Sequence, residues 1–577
     1  MWSLKKREVA GKTIRGGCFD LCVIGGGATG LGCALDAQLR GLRTVLVEAG
    51  DFVSQTSSAS TKLAHGGVRY LELAAASLDY GQFRMVLRAL HERRHMLEAA
   101  PHLAHPMELL VPCFSAWERF YYGAGLKAYD GIAGKARISP SRILSRREAL
   151  DRLPGLRSEG LAGAVTYADG QFDDARYGMA LVQSFSRLNG ELLNYARVVD
   201  LERRGDGRLT GVVVEDRLAG ERFSIAARAI LNCTGPFSDT LRQMANPSLA
   251  KRLRLSKGIH ILLPMREMRG DAALLIPRTE DGRLIFALPW YGSLLVGTTE
   301  QEMAPDEEVT VRAEEIEYLL RYIHRFLDTR WTRADVQSAF AGVRPLVACG
   351  GKVNTRRLIR DHEIEVDRRS GLVSVLGGKW TTYRAMAEDG VNAALRVLGE
   401  APVAARTLHY ALDGAEGYES GYGQRLVGRY GISEGTAEHL AQKFGTRSED
   451  ILSLIASDSS LAVPLCAGTA AIAAEVVYCV REEMAQTVED VLARRIGVQF
   501  HSLRQAWEAA PAVGKWMAVE LGWTEEQRAR AVTEYQTGID RLLRLAGLPP
   551  ALLGPAAGPE FDPKGPGEDH AGLHRSH

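Results

Sequence analysis

The sequence predicts an α/β protein built on a Rossmann-type dinucleotide-binding unit, with a β-rich substrate domain and a C-terminal all-α domain. Three observations carry this. Residues 19–48 read as strand, glycine loop, helix and strand. A second β-rich stretch begins near residue 190. Residues 415–545 are rich in helix formers. At 577 residues the chain also exceeds the roughly 250–300 at which one core usually divides.

The N-terminal unit is the most specific of the three. FDLCVI at 19–24 is a short apolar run of the kind that forms a buried parallel strand. Gly25-Gly26-Gly27-Ala28-Thr29-Gly30 follows and matches GxGxxG through Gly25, Gly27 and Gly30. The first glycine permits the tight turn, the second lets the backbone approach a pyrophosphate, and the third lets helix and strand pack closely. Apolar positions at helical spacing over 28–40 lead into the strand RTVLVE at 43–48. Free N–H groups at the start of that helix favour phosphate. Glu48, 18 residues beyond Gly30, can accept hydrogen bonds from both ribose hydroxyls and repels a 2′-phosphate, which argues against NADP. The motif alone does not choose between FAD and NAD.

Further along, the Ser/Thr/Gly-rich segment 51–70 reads as a loop leading into a helix, and 80–100 as helical. Strands are expected at 193–199, 211–215, 222–226 and 228–233, the last ending in NCTGP. Residues 257–300 alternate short strands and turns, 311–327 is helical, and GLVSVLG at 371–377 is another buried strand. The expected organisation is an N-terminal extension (1–17), a cofactor-binding domain (18–400) with a substrate subdomain inserted at 80–150 and 254–365, a linker (401–412), a separate helical domain (413–545) and a disordered Pro/Gly-rich tail (546–577).

Composition narrows the function class. A net charge of +1 argues against nucleic acid as the main partner. The eight cysteines include no CxxC pair and are read as reduced thiols of a cytoplasmic protein. The start MWSLKKREVAGKTIRGG is too polar for a signal peptide. The weakly polar stretch 460–474 is interrupted by Pro464 and falls short of the about 20 apolar residues of a membrane span. Any membrane contact is therefore expected to be peripheral. No metal is expected, because the histidines show no ligand spacing.

Three later segments select the cofactor: TSSASTKLAHGGVRY at 56–70, NCTGP at 232–236 and GGKWTTYR at 377–384. With CTGPFSD, KGIHILLP, VGTTE, AGVRPL and AEVVYCVREEMAQTVEDVLARR, they resemble the FAD-dependent (respiratory) glycerol-3-phosphate dehydrogenases from residue 18 to about residue 540. That family shares its fold with D-amino-acid oxidase and the glutathione-reductase-like flavoproteins. Trp380 stands where relatives usually have Leu, and Cys233 and Phe237 stand where Ala and Trp are common. The resemblance implies non-covalent FAD. Gly25, Gly27, Gly30 and Glu48 are expected at its ADP half, Ser57, Ser58 and Lys62 along the pyrophosphate and ribityl region, and Val198, ending its strand, by the adenine. Gly235 is expected beside the cofactor, and Gly378, Trp380 and Thr381 are expected to present backbone N–H groups to the flavin.

The implied reaction oxidises sn-glycerol 3-phosphate to dihydroxyacetone phosphate by hydride transfer from C2 to flavin N5. It needs cations for a dianionic phosphate and an acceptor for the C2 hydroxyl proton. The candidates are Arg69, Tyr70, His260, Arg344, Arg360, Lys379 and Thr382 for the substrate, with Arg344, His65 and Lys379 as catalytic residues. A guanidinium fork suits bidentate recognition, and Pro345 is expected to fix a turn after Arg344. His65 is the natural proton acceptor by its intrinsic pKa. The electrons are expected to leave to a membrane quinone; an oxygen-using oxidase and a non-catalytic flavin-binding redox sensor are the competing readings. Residues 114–129 combine Trp117, Phe120, Tyr121, Tyr122 and Tyr129 with Arg119 and Lys127, and 119–147 carries seven Lys/Arg against one Asp. This suits a bilayer interface on the inner face of the cell membrane, or equally a buried aromatic cluster beside a solvated basic loop. The helical domain is read as serving homodimerisation or lid-like packing.

Overall fold

The structure, a computed structural model, describes residues 2–67, 80–265, 268, 270, 272–348 and 362–551. Two sheets organise the described chain. The first has a parallel core in the order Val373–Gly377, Glu221–Asn232, Cys18–Ile24, Thr44–Val47 and Glu191–Leu193. Ile24 lies opposite both Val47 and Asn232, and Val47 opposite Leu193. The strands thus stop at one level, and the residues that follow, Gly25, Glu48 and Cys233, emerge side by side. That carboxyl edge is where ligands of open parallel sheets bind.

Of the four strands expected between 193 and 233, 211–215 lies within Leu209–Asp216 and the other three are arranged differently. Glu191–Leu193 and Ala196–Arg203 are separate strands, so Val198 lies near the start of an antiparallel strand rather than at the end of a parallel one. The two short strands expected at 222–226 and 228–233 are one, Glu221–Asn232. Its first half pairs antiparallel with Leu209–Asp216 and its second half parallel with Cys18–Ile24.

The second sheet runs Gln301–Met303, Leu253–Pro264, Ser293–Gly297, Ile285–Trp290, Ala273–Ile276, Ala104–Cys113, Gly163–Phe172, Leu63–Ala64, with Ser338–Val347 added on Leu253–Pro264. Both faces are covered. Leu262 and Leu295 pack with Leu90, Leu126 and Tyr129 from helices Tyr80–Ala99 and Ala116–Ala133. Ile259, Ile261 and Leu263, alternating with Leu262, pack into one core with Ile316, Val476, Val480, Leu492 and Met517. The helical domain is therefore continuous with the substrate sheet rather than a body apart. Each of those aliphatic side chains contributes about 1.5–3 kcal/mol when fully buried. The segment 401–412 is likewise docked: the Leu412 N–H donates to Ala99 O at 2.8 Å, and Val403 O accepts from Arg40 at 2.8 Å.

The N-terminal extension is a helix, Trp2–Arg15. Ile14 is buried against Phe19 and Val212, and Arg7 pairs with Asp216 at 3.0 Å. The tail beyond 551 lies outside the described residues.

Candidate functional site

A cleft of about 590 Å³ opens at the carboxyl edge of the parallel sheet. Its walls come from the residues that follow four of those strands, with the turn at Ser57 and the start of Ala196–Arg203: Gly25 and Gly27, Glu48, Ser57, Val198, Gly235, Gly378, Lys379 and Trp380. Each glycine of the loop has its own steric reason. Gly25 sits at φ +110°, where a Cβ would lie 2.5 Å from Cys233 O. A Cβ on Gly30 would lie 1.8 Å from Gly25 O. A Cβ on Gly27 would point at Ser57 Oγ, 2.9 Å away. Helix Ala28–Leu39 starts with no side-chain cap from Gly27. Ser57 Oγ accepts the Ala28 N–H at 3.0 Å, and the helix end faces the cleft. A helix N-terminus presented to a cleft favours an anion.

The Glu48 carboxylate is aimed at the same loop. It accepts the Gly26 N–H at 2.6 Å and the Gly50 N–H at 2.8 Å. Burial raises its pKa, and those two N–H groups oppose the shift. On the far wall Gly377 and Gly378 adopt φ +70° and +98°. Trp380 does more than fill space: its indole N–H donates to Ser57 O at 2.8 Å, and its ring stands edge-on to Phe172 and Tyr177. It ties the 377–382 loop to the 56–58 turn.

Several expected cofactor contacts lie elsewhere. Gly30 acts through helix packing rather than by facing the cleft. Ser58 and Thr381 are buried behind its wall. Lys62 is fully buried, with its ammonium paired to Asp174 and donating to Ser58 O at 2.8 Å, while Phe500 lies 4.5 Å away. It braces the 58–62 turn from behind.

A second constellation flanks the cleft along the strand Ser338–Val347. Arg344 and Pro345 lie inside this strand, opposite Ser256 and Leu255, and not at a turn. Proline is tolerated there because the strand is an edge, paired on one side only among the described residues. Pro345 lines the cofactor cleft, while Arg344, the residue before it in the strand, is not among the residues that line it. Arg344 donates to Thr298 Oγ1 at 2.9 Å and approaches Thr299 O at 3.5 Å. Gly258 leaves room for it, since a Cβ there would meet the guanidinium at 2.6 Å. Gly342 plays the same part for the 56–61 segment, with Ala59 O 2.5 Å from its Cβ position.

His260 is opposite Phe340 in that register and stacks on its ring at 5.1 Å. Its Nε2 is 3.0 Å from Thr61 Oγ1, and its Nδ1 has no partner among the described residues. Burial, then the Arg344 and Lys62 charges, push its pKa well below the usual histidine range, so the ring is neutral at physiological pH. His65 is half-buried just after the strand Leu63–Ala64, which pairs with Gly170 and Gln171. The next residue, Gly66, donates its N–H to Asp169 at 3.2 Å. Thr382 is buried, is not among the residues that line the cleft, and donates its hydroxyl to Lys379 O at 3.2 Å. Arg69, Tyr70 and Arg360 lie outside the described residues. Thr61, Thr298 and Thr299 were not singled out in the sequence. Their signal was membership of the motifs TSSASTKLAHGGVRYLE and VGTTE.

Comparison with known proteins agrees with this geometry. Residues 20–390 match the family profile described as FAD dependent oxidoreductase, and residues 405–528 match the C-terminal domain of alpha-glycerophosphate oxidase. The mitochondrial glycerol-3-phosphate dehydrogenase of Rattus norvegicus is 39% identical over 518 residues, covering 88% of this chain and 71% of that protein. The chain belongs to the FAD-dependent glycerol-3-phosphate dehydrogenase family. The probable mitochondrial enzyme of Caenorhabditis elegans is 40% identical over 547 residues, 93% of this chain and 75% of its own. The crystal structure of the Bacillus halodurans glycerol-3-phosphate dehydrogenase complexed with FAD superposes with a TM-score of 0.75 at 30% identity, covering 94% of this chain and 98% of that one. As a member of this family the protein is an FAD-dependent oxidoreductase. The cleft fits that cofactor: a helix N-terminus presented to it, a glycine cradle that any Cβ would fill, and a carboxylate at the end of the second strand.

Proposed function

We propose that the protein oxidises sn-glycerol 3-phosphate to dihydroxyacetone phosphate and passes the two electrons to a quinone dissolved in the membrane. Bound FAD supplies the two-electron acceptor for the hydride from C2. Gly25, Gly27, Glu48, Ser57, Val198, Gly235, Gly378 and Trp380 hold it. The chain's own groups handle the rest. Arg344 and Lys379, with Arg69, Tyr70 and Arg360, bind the phosphate and the C2 oxygen. His65 takes the hydroxyl proton, and neutral His260, held by Thr61 and Phe340, is the second candidate for that step. The observation that carries the substrate reading is Arg344, fixed by Thr298 and near enough to His260 for its charge to lower that histidine's pKa.

The membrane reading rests on helix Ala116–Ala133. Its inner face, Gly123, Leu126 and Tyr129, is buried, so Tyr129 belongs to the core and Tyr122 is half-buried. Its outer face leaves Trp117 68% and Phe120 65% exposed, with Tyr121 beside them. Ile143, which packs on Gly123 of the inner face, is itself 52% exposed, and Lys135, Arg137, Arg142, Arg146 and Arg147 in the following segment are exposed. Aromatic side chains ringed by basic ones suit an anionic bilayer surface. No helix among the described residues is long and apolar enough to cross a membrane.

Oxygen as acceptor is the second reading, favoured by the match of residues 405–528 to the oxidase-type C-terminal domain. Turnover with glycerol 3-phosphate under air separates the two. Dependence on added quinone without hydrogen peroxide supports the dehydrogenase; peroxide formed in step with substrate consumption supports the oxidase.

A further inference from the structure

The cofactor cleft is braced from outside by the helical domain. Residues 48–57 run along the cleft, and Glu48, Gly50, Val53 and Ser57 face it. Asp51, in the middle of that run, faces the opposite way and is only 2% exposed. Its Oδ2 accepts from Arg494 Nε at 2.6 Å and from Arg495 at 2.7 Å. Its Oδ1 accepts from Arg495 at 2.8 Å and from Asn194 at 3.2 Å. Both arginines lie on the π-turn Asp490–Arg495 of the helical domain.

The contacts close into a ring. Arg494 also donates to Asp490 Oδ1 at 2.6 Å, Asp490 accepts the Tyr195 hydroxyl at 2.7 Å, and the Tyr195 N–H donates to Gly50 O at 2.7 Å. Gly50 is the residue whose N–H reaches Glu48. Arg495 extends the ring to Glu483 O at 2.9 Å, and the Glu483 carboxylate takes both terminal nitrogens of Arg176 at 2.8 and 2.9 Å. Burial raises the Asp51 pKa, but Arg495 and Arg494 more than offset this and hold it down to about 2. Removing one partner from so dry a cluster leaves an uncompensated charge, which forces the neighbouring backbone to move.

We infer that Arg494 and Arg495 are positioning residues for the dinucleotide. Through Asp51 they set the backbone of residues 48–53, and so the aim of the Glu48 carboxylate, which makes cofactor affinity depend on the seating of the C-terminal helical domain. This rests on the placement of FAD in the cleft described above. Coupling of this kind is reciprocal, so bound FAD also stabilises the helical domain.

The test is the rate at which FAD leaves the full-length holoenzyme on dilution, read by the rise in flavin fluorescence. Arg495→Met is expected to release FAD about tenfold faster or more. Its KM for glycerol 3-phosphate at saturating FAD should stay within about twofold of the parent, because the cluster touches no substrate group. Arg495→Lys should recover part of the retention. Asp51→Asn should also accelerate release, and adding Arg495→Met to it should add little, because both act through one contact. Tyr195→Phe removes one hydroxyl without stranding a buried charge and serves if the charge variants do not fold; it should release FAD measurably faster. Parent-like release from folded Arg495→Met, or from Tyr195→Phe where that variant does not fold, overturns the inference. So do equal rises in release rate and KM. Gly27→Val is the control: if it retains FAD, the placement of the cofactor fails rather than the coupling.

Discussion

Arg344→Lys keeps the charge and removes the fork. In the structure the guanidinium spends one terminal nitrogen on Thr298 Oγ1 at 2.9 Å and turns the other toward Thr299 O at 3.5 Å, which orients the plane. An ammonium on a flexible stem cannot hold Thr298 and present a fixed second donor to substrate. Losing one charge-assisted contact of the kind that stabilises developing charge costs about 2–4 kcal/mol. At about 1.36 kcal/mol per decade this is roughly a 30- to 1,000-fold fall in kcat/KM. The contact to Thr298 is half-buried, so the cost to stability is smaller, about 0.5–1.5 kcal/mol. The assay is steady-state reduction of a soluble dye with glycerol 3-phosphate as donor, alongside thermal unfolding and flavin content. A variant with full flavin, a near-parental melting point and kcat/KM within threefold of the parent refutes the assignment and moves the phosphate clamp elsewhere.

Other outcomes follow from the same structure. Gly27→Val should yield colourless protein, because its side chain fills the gap between the helix end and Ser57; the absorbance ratio of flavin to protein after purification checks this. The combined Trp117→Ser, Tyr121→Ser and Lys127→Glu variant should move from anionic liposomes to the supernatant in a flotation assay while dye-linked activity survives; retention on liposomes would place the docking surface elsewhere. His260, whose pKa is depressed in the folded state, stays neutral while the unfolded chain takes up a proton below about pH 6.5. Its contribution to stability is therefore complete above that pH and is lost as pH falls below it. His260→Gln should flatten this limb of a denaturation-midpoint profile taken between pH 7 and 5.

The parts of the site legible in the sequence are those specified locally. The glycine loop declares itself because a strand, three spaced glycines, a helix and an acidic residue must all fall within one supersecondary unit. His260 was visible as a polar residue inside an otherwise apolar strand, and Arg344 through the motif AGVRPL. Their supports were not, because Phe340 meets His260 only through sheet register and Thr61 reaches it across 199 residues of chain. The brace on Asp51 was least legible of all: its carboxylate meets Arg495 across 444 residues of chain. Strand boundaries failed where tertiary pairing overrode local pattern, as in Glu221–Asn232, which changes neighbours halfway along its length. Pro345 misled because proline normally ends a strand, and only the edge position of Ser338–Val347 excuses it. The helix Trp2–Arg15 went unread; among its described side chains Ala10 and Ile14 are the buried apolar ones, too few positions to show a period.

The central claim is that this chain's flavin takes electrons from glycerol 3-phosphate. The direct measurement is the visible flavin absorption of the purified holoenzyme under strict anaerobiosis, before and after stoichiometric additions of substrate. Bleaching by sn-glycerol 3-phosphate, with one equivalent of dihydroxyacetone phosphate per flavin and no response to glycerol, is the predicted result. A flavin that stays oxidised with glycerol 3-phosphate but is reduced by dithionite would contradict the account.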